Sequence, residues 1–213
     1  TNASFSVVPG NHDYDLLNNK SVHTNYSKYF GATRYKNKKW FLTSGPNQIN
    51  ISQRFTFLDQ DFIHIGLEWL PSDDAIQFAQ QIINQNPKIP IILTTHSNLT
   101  KGNPAKRINL IDSIDHENSY KYNSPEQLFR KLIEPYPQVF LVLSGHEIGN
   151  GRLVSKTILD QEVVQIMANY QSDPGGGNGW IQLIRINSEG SAIKVRNFSP
   201  SYKPLVSPGL NRF

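Results

Sequence analysis

Ser6-Val7-Val8-Pro9-Gly10-Asn11-His12-Asp13 is an apolar run that stops at a glycine, followed at once by three side chains able to bind a metal or move a proton. A short buried strand entering a Gly turn delivers the next residues to the strand's C-terminal edge, where open α/β sheets place their ligands. The Asn11 amide oxygen can bind a cation without adding charge, and His12 can donate or accept a proton near neutral pH. Gly-Asn is equally ordinary turn chemistry. This stretch alone therefore leaves a plain polar turn open.

Two later stretches repeat the pattern. Ile89-Pro90-Ile91-Ile92-Leu93-Thr94-Thr95-His96 and Gln138-Val139-Phe140-Leu141-Val142-Leu143-Ser144-Gly145-His146 are buried-strand patterns, each ending in a histidine. A lone histidine after an apolar run is commonly a core residue. Three strands ending alike place their polar side chains at one edge of a sheet.

Gly10-Asn11-His12-Asp13, then Thr94-Thr95-His96, then Ser144-Gly145-His146 resembles the calcineurin-like metallophosphoesterases in motif order and spacing, from Phe5 to about Pro200. The resemblance implies an α/β fold, a two-sheet αββα sandwich, present here without its first strand and helix units. It implies metal-dependent phosphoester hydrolysis, as a phosphatase or phosphodiesterase, by a metal-activated water. Asn11, His96 and His146 would hold a divalent transition metal (Mn, Fe or Zn; one or two ions). His12 would act as the acid near the leaving group, and Asp13 would be a supporting acid that does not touch the metal. The implied partners are a phosphoester substrate, whose binding residues stay unassigned, and the upstream part of the same polypeptide.

Three departures accompany the match. The family's Asp-x-His and Gly-Asp-x-x-Asp motifs are absent from this sequence, and the chain begins at Thr1, a few residues before the third motif. It therefore reads as the C-terminal part of a longer protein, lacking two strand-and-helix units of roughly 60 residues together. The last motif reads Gly145-His146-Glu147-Ile148 in place of Gly-His-x-His. Ile148 cannot bind a metal, so a second ion would need Glu147 or Asn150, or this branch holds one ion or none. The alternative function is a phosphoesterase-fold structural or binding module that has lost its chemistry.

The rest of the chain is read around these motifs. The 213 residues suffice for one domain with a real core, expected over 1–199 with an extended tail over 200–213. Without cysteine there are no disulfides, thiolate metal sites or Cys nucleophiles. No apolar run is long enough to span a membrane, and a net charge of +4 is too modest to signal nucleic acid. The compartment stays open. Sequons at Asn2, Asn25, Asn50, Asn98 and Asn197 are compatible with a secreted or cell-surface location.

Residues 14–46 read as a long loop with short helical turns, carrying the basic cluster Arg34, Lys36, Lys38 and Lys39 on a solvated face. That loop is expected to form one wall of a substrate cleft, and His23 within it has no evident partner. Arg54–Leu58 and Phe62–Leu67 form a hairpin pattern in which His64 is structural. A helix is expected over Asp73–Asn86 with Ser72 as cap, and another from Ser124-Pro125-Glu126 to about Glu134. Between His96 and that second helix, Ser97–Asn123 reads as a lid or a mobile insertion. It contains Asp112, and its Asp115-His116-Glu117 is read as solvated surface. Beyond His146, strands are expected over 152–159, 162–170, 180–187 and 192–198 as one antiparallel sheet. Gly149-Asn150-Gly151 and Ser188-Glu189-Gly190 read as turns, and Pro174–Gly179 as a flexible connection.

Overall fold

Alternation in Phe62-Ile63-His64-Ile65-Gly66 sends Ile63 and Ile65 to one face of a strand and Phe62, His64 and Gly66 to the other. The computed structural model describes residues 4–15, 20, 22–57, 59–108, 122–187 and 192–201. It contains strands β1 (Phe41–Ser44), β2 (Ile51–Phe57), β3 (Gln60–Gly66), β4 (Ile91–Thr94), β5 (Val139–Ser144), β6 (Gly149–Lys156), β7 (Glu162–Asn169), β8 (Ile181–Ile186) and β9 (Ile193–Phe198). Seven of these form a mixed sheet in the order β1-β2-β3-β4-β5-β7-β6, and β8 and β9 pair separately. Within the large sheet β3, β4, β5 and β7 run parallel, so their C-terminal ends share one edge.

Two helical segments cover one face. After the short helix α1 (Thr24–Phe30), helix α2 (Asp73–Gln85) starts where Ser72 accepts a hydrogen bond from the Ala75 amide, with Asp73 and Asp74 in the first turn. Its buried residues Ile76, Ala79, Ile82 and Ile83 meet Ile63, Ile65, Ile91 and Leu93 of the sheet. The second segment opens as α3 (Pro125–Leu128) on a reciprocal Ser124–Gln127 capping box and continues as a π-turn through Phe129–Ile133. Leu128, Phe129, Leu132 and Ile133 complete this core with Val139, Val142 and Val163. At about 1.5–3 kcal/mol for each fully buried large apolar side chain, this cluster holds the helical layer on the sheet.

The opposite face is covered differently. Phe5–Val8 lies against it without belonging to a strand: a Cβ on Gly66 would meet Val8 Cγ1 at 2.9 Å and Ser6 Oγ at 3.2 Å. This corrects the expectation of a paired strand before Gly10. The Phe5 carbonyl accepts from Gln53 Nε2 at 2.6 Å and the Val7 carbonyl from the Tyr26 hydroxyl at 2.8 Å, so side chains take the place of a ladder. The β8–β9 pair approaches the same face, with Ile186 beside Phe62 and Phe140 around a cavity of ≈ 550 Å³.

Further expectations are corrected here. The four late strands do not make one antiparallel sheet: β7 joins β5 in parallel and brings β6 into the main sheet. Strand β7 buries Val163, Gln165, Ile166 and Met167, as a central strand does on both faces. Gly149-Asn150-Gly151 lies within β6. A Cβ on Gly151 would stand 2.3 Å from the Thr100 carbonyl oxygen, so glycine there serves close backbone approach. Residues 97–108 are docked: Gly102 and Ala105 exchange backbone bonds with Asn150 and Arg152 of β6, and Leu99 and Ala105 are buried against Met167. Strand β1 falls inside the expected loop, too short to show alternation. Pro174–Gly177 forms a hydrogen-bonded turn with Gly175 and Gly176 in left-handed conformation. His23 Nδ1 lies 2.6 Å from Ser27 Oγ, so it has a partner.

Leu58, Asp112, Asp115-His116-Glu117, Ser188-Glu189-Gly190, the sequon at Asn2 and residues 202–213 lie outside the described residues. Of the other sequons, Asn50 and Asn98 are buried, and their amides are held by Asn47 and Gln165. Neither is an acceptor in the folded chain. No helix among the described residues is long and apolar enough to cross a membrane.

Candidate metal centre

Gly10 is extended, and Asn11–Asp13 turns into a single 3-10 turn. Asp13 locks it: its Oδ2 accepts from the Gly10 amide at 2.7 Å, while its own amide donates to the Gly10 carbonyl at 3.1 Å. That closure presents Asn11 and His12 at the C-terminal edge of the sheet. His96 follows β4 by two residues, and His146 follows β5 by two, placing both at the same edge. Gly10 must be glycine for a steric reason. A Cβ there would lie 2.9 Å from His96 Cε1 and 3.1 Å from both ring nitrogens.

Three donor atoms meet. His96 Nε2 is 3.0 Å from Asn11 Oδ1 and 3.0 Å from His146 Nδ1. The two imidazoles stand edge to face, with centroids 4.9 Å apart. Burial pushes His96 down to about 4, with the neighbouring His146 and His12 adding to the effect and Asp13 opposing it. His146 lies below its ordinary value as well, again mainly through burial. Both rings are therefore neutral near pH 7 and offer lone pairs. Donors separated by 3.0 Å have the spacing of neighbouring ligands on one ion with bonds of ~2.1 Å. The residues fit a single cation.

The site has no convergent carboxylate. Among the described residues no three His, Asp or Glu side chains come together, and this trio is two imidazoles and an amide. Asp13 is occupied with Gly10. Ile148 is 53% exposed at the lip. Asn150 accepts a long 3.4 Å hydrogen bond from Gln182. His12 is exposed and borders a cavity of ≈ 430 Å³ whose wall includes Asp15, Asn25, Tyr29 and Phe30. Part of the expected loop wall is thus adjacent to His12, while Lys36, Lys38 and Lys39 are exposed outside that lining. The larger cavity, near Phe62, sits at the opposite edge and has no His, Asp or Glu in its lining.

The sequence reading does not single out three participants around this edge. Asn169, the last residue of β7, donates from Nδ2 to the His146 carbonyl at 2.7 Å. Its only sequence signal is that β7, like β4 and β5, ends in a polar residue. Glu68 follows β3 and is buried with Lys20, whose Nζ lies 3.8 Å from Glu68 Oε2 and donates to the Leu70 carbonyl at 2.7 Å. Lys20 is held over the Tyr122 ring at 3.7 Å, and desolvation lowers it to about 8. These contacts lie far apart in sequence and carry no local pattern.

The chain is 25% identical over 205 residues to the uncharacterized protein YvnB of Bacillus subtilis (strain 168), a match covering 93% of this chain and 14% of that protein. The chain thus spans a small part of that relative's length. Residues 2–149, which carry all three motifs, match the family model of the calcineurin-like phosphoesterases, and the chain belongs to that family.

Proposed function

We propose that this chain carries half of the centre of a metal-dependent phosphoester hydrolase whose remaining ligands come from the upstream part of the same polypeptide. The observation that carries this reading is the meeting of Asn11 Oδ1, His96 Nε2 and His146 Nδ1 in 3.0 Å steps at one sheet edge. Imidazole and amide donors suit Mn, Fe or Zn. When bound, such a cation supplies Lewis-acid polarisation of a phosphoryl oxygen and a water of lowered pKa. Asn11, His96 and His146 hold it, and Asp13 fixes the turn that aims Asn11. His12, exposed at the cavity mouth, donates a proton to the departing oxygen or a hydrogen bond to the phosphoryl group. Three neutral ligands compensate none of the cation's charge, which is the reason for assigning an upstream carboxylate to the site. Phe5–Val8 pairs with none of the described strands, and on this reading an upstream strand supplies its ladder.

The test is metal content and hydrolysis of an aryl phosphodiester by a polypeptide extended upstream, compared with its His96→Ala variant. Loss of bound metal and of hydrolysis together is expected; unchanged metal content in the variant overturns the assignment. A second reading, a structural or binding module without chemistry, is favoured by Ile148 at the position of the family's final histidine. It is selected if the extended polypeptide carries no metal and hydrolyses nothing.

A further inference from the structure

Strand β5 ends at Ser144, which pairs with Met167 of β7, and β6 begins at Gly149, which pairs with Asn169 of the same strand. Residues 145–148 therefore arch over the C-terminal end of β7, and Asn169 is the β7 residue directly beneath the arch. His146, within it, has φ +68°, the left-handed region that non-glycine residues enter uncommonly, histidine more readily than most. Besides the His146 Nδ1–His96 Nε2 contact, three hydrogen bonds to backbone groups tie the arch among the described residues. Gly145 N donates to the His96 carbonyl at 2.9 Å, Glu147 N to the Gly145 carbonyl at 3.0 Å, and Asn169 Nδ2 to the His146 carbonyl at 2.7 Å. The last of these acts on the left-handed residue itself. Asn169 Oδ1 accepts from the Gln171 amide at 3.0 Å, so both ends of the carboxamide are engaged and its orientation is fixed.

We infer that Asn169 is a positioning residue: by holding the His146 carbonyl it keeps His146 in the left-handed conformation that brings Nδ1 to His96, and so sets the affinity of the centre for a divalent cation. The affinity half rests on the metal reading above; the positioning half does not. An unfavoured backbone conformation persists only where the surroundings over-determine it. Groups that orient a ligand without touching the ion typically govern affinity by about 10–100-fold.

Asn169→Asp separates the two ends of the amide, keeping an acceptor for Gln171 and removing the donor to His146. Asn169→Ala removes both. Two readouts apply to variants whose far-UV circular dichroism matches the unsubstituted chain. The φ of His146 is measured in the metal-free protein from NMR coupling constants, and the dissociation constant for Co²⁺ is measured by visible absorption on the upstream-extended polypeptide. In both variants His146 is expected to leave positive φ, and Co²⁺ to bind about 10–100-fold more weakly. An unchanged φ in Asn169→Asp overturns the positioning role, whatever the metal does. A changed φ with undiminished Co²⁺ affinity overturns the link to the centre. If the unsubstituted polypeptide binds no Co²⁺, the metal reading fails with the affinity half, and φ alone decides the positioning half.

Discussion

Replacing Gly10 by alanine tests whether the steric fit of the turn aims His96. The backbone at Gly10 is extended, with φ −92°, a conformation alanine adopts without strain. Taken alone, such a Gly→Ala change stabilises by about 0.4–1 kcal/mol through the unfolded state. Against it stands the new methyl, 2.9 Å from His96 Cε1. Carbon atoms settle near ~3.5 Å or beyond, so the ring must retreat by about 0.6 Å. Asn11 is the next residue on the Gly10 side, so that retreat opens the 3.0 Å Asn11–His96 contact past hydrogen-bond range. Overpacking of this kind costs about 1–3 kcal/mol, leaving a net loss of up to about 2.6 kcal/mol, with a midpoint of about 1.3, after the entropic gain. Urea unfolding measures the stability, and Co²⁺ titration of the upstream-extended polypeptide measures the geometry. Gly10→Ala should be destabilised and should bind Co²⁺ more weakly. A variant as stable as the parent or more so, with undiminished Co²⁺ affinity, would refute the steric argument.

Three other perturbations follow from contacts elsewhere. Burial pushes His64 down to about 4, its Nε2 facing Thr94 Oγ1 and its Nδ1 unpartnered. As pH falls from 6.5 towards 4, the unfolded chain takes up a proton that the folded chain refuses, so stability is full above 6.5 and drops by at most about 3 kcal/mol below it. His64→Gln should flatten that part of the pH–stability curve measured by urea titration; His96 contributes a similar slope in both proteins, and an identical slope in the variant counts against the assignment. Lys20→Met strips the cation from buried Glu68 and the donor from the Leu70 carbonyl, and should cost about 3–5 kcal/mol. Adding Glu68→Gln should recover much of the loss, and no recovery would show that packing, not charge, is at stake. Gly151→Ala places a methyl 2.3 Å from a backbone oxygen that cannot swing aside as a ring can. Its thermal midpoint should fall further than that of Gly10→Ala, and a smaller fall is the contrary result.

What was legible in the sequence was what depends on local period and punctuation. The apolar runs before His96 and His146 are long enough to show as strands, and the stripe from Ile76 to Ile83 and the Ser72 and Ser124 caps mark both helices. Partner choice was not legible. Strand β7 pairs with β5, more than twenty residues earlier, and no feature of Glu162–Asn169 says so beyond being apolar on both faces. Phe5–Val8 reads as a strand because its residues favour one, yet its ladder partners are not among the described strands. Gly151 reads as a turn residue because glycine is common in turns; its actual cause, the Thr100 carbonyl, is fifty residues away. The same separation hides Asn169 beneath His146 and Lys20 beside Glu68.

On the proposed reading, the arrangement of charge at the edge lets this half of a centre form before the rest is in place. A buried carboxylate at the donor trio would need either a cation or a proton, and its desolvation would cost several kcal/mol without one. Asn11, His96 and His146 avoid that cost: each is uncharged near pH 7, and they satisfy one another through His96 Nε2. The one carboxylate in the turn, Asp13, is tied to the Gly10 amide and serves the backbone. The chain can therefore fold with Asn11 Oδ1 and His146 Nδ1 each already 3.0 Å from His96 Nε2. The consequence is weak intrinsic affinity, because neutral donors contribute no Coulomb attraction. On the proposed reading, upstream carboxylates then supply the charge, and metal binding couples the docking of the upstream segment to completion of the centre. On that reading the chain's own contribution is preorganisation, and it rests on the backbone at Gly10 and His146 as much as on the side chains of Asn11, His96 and His146.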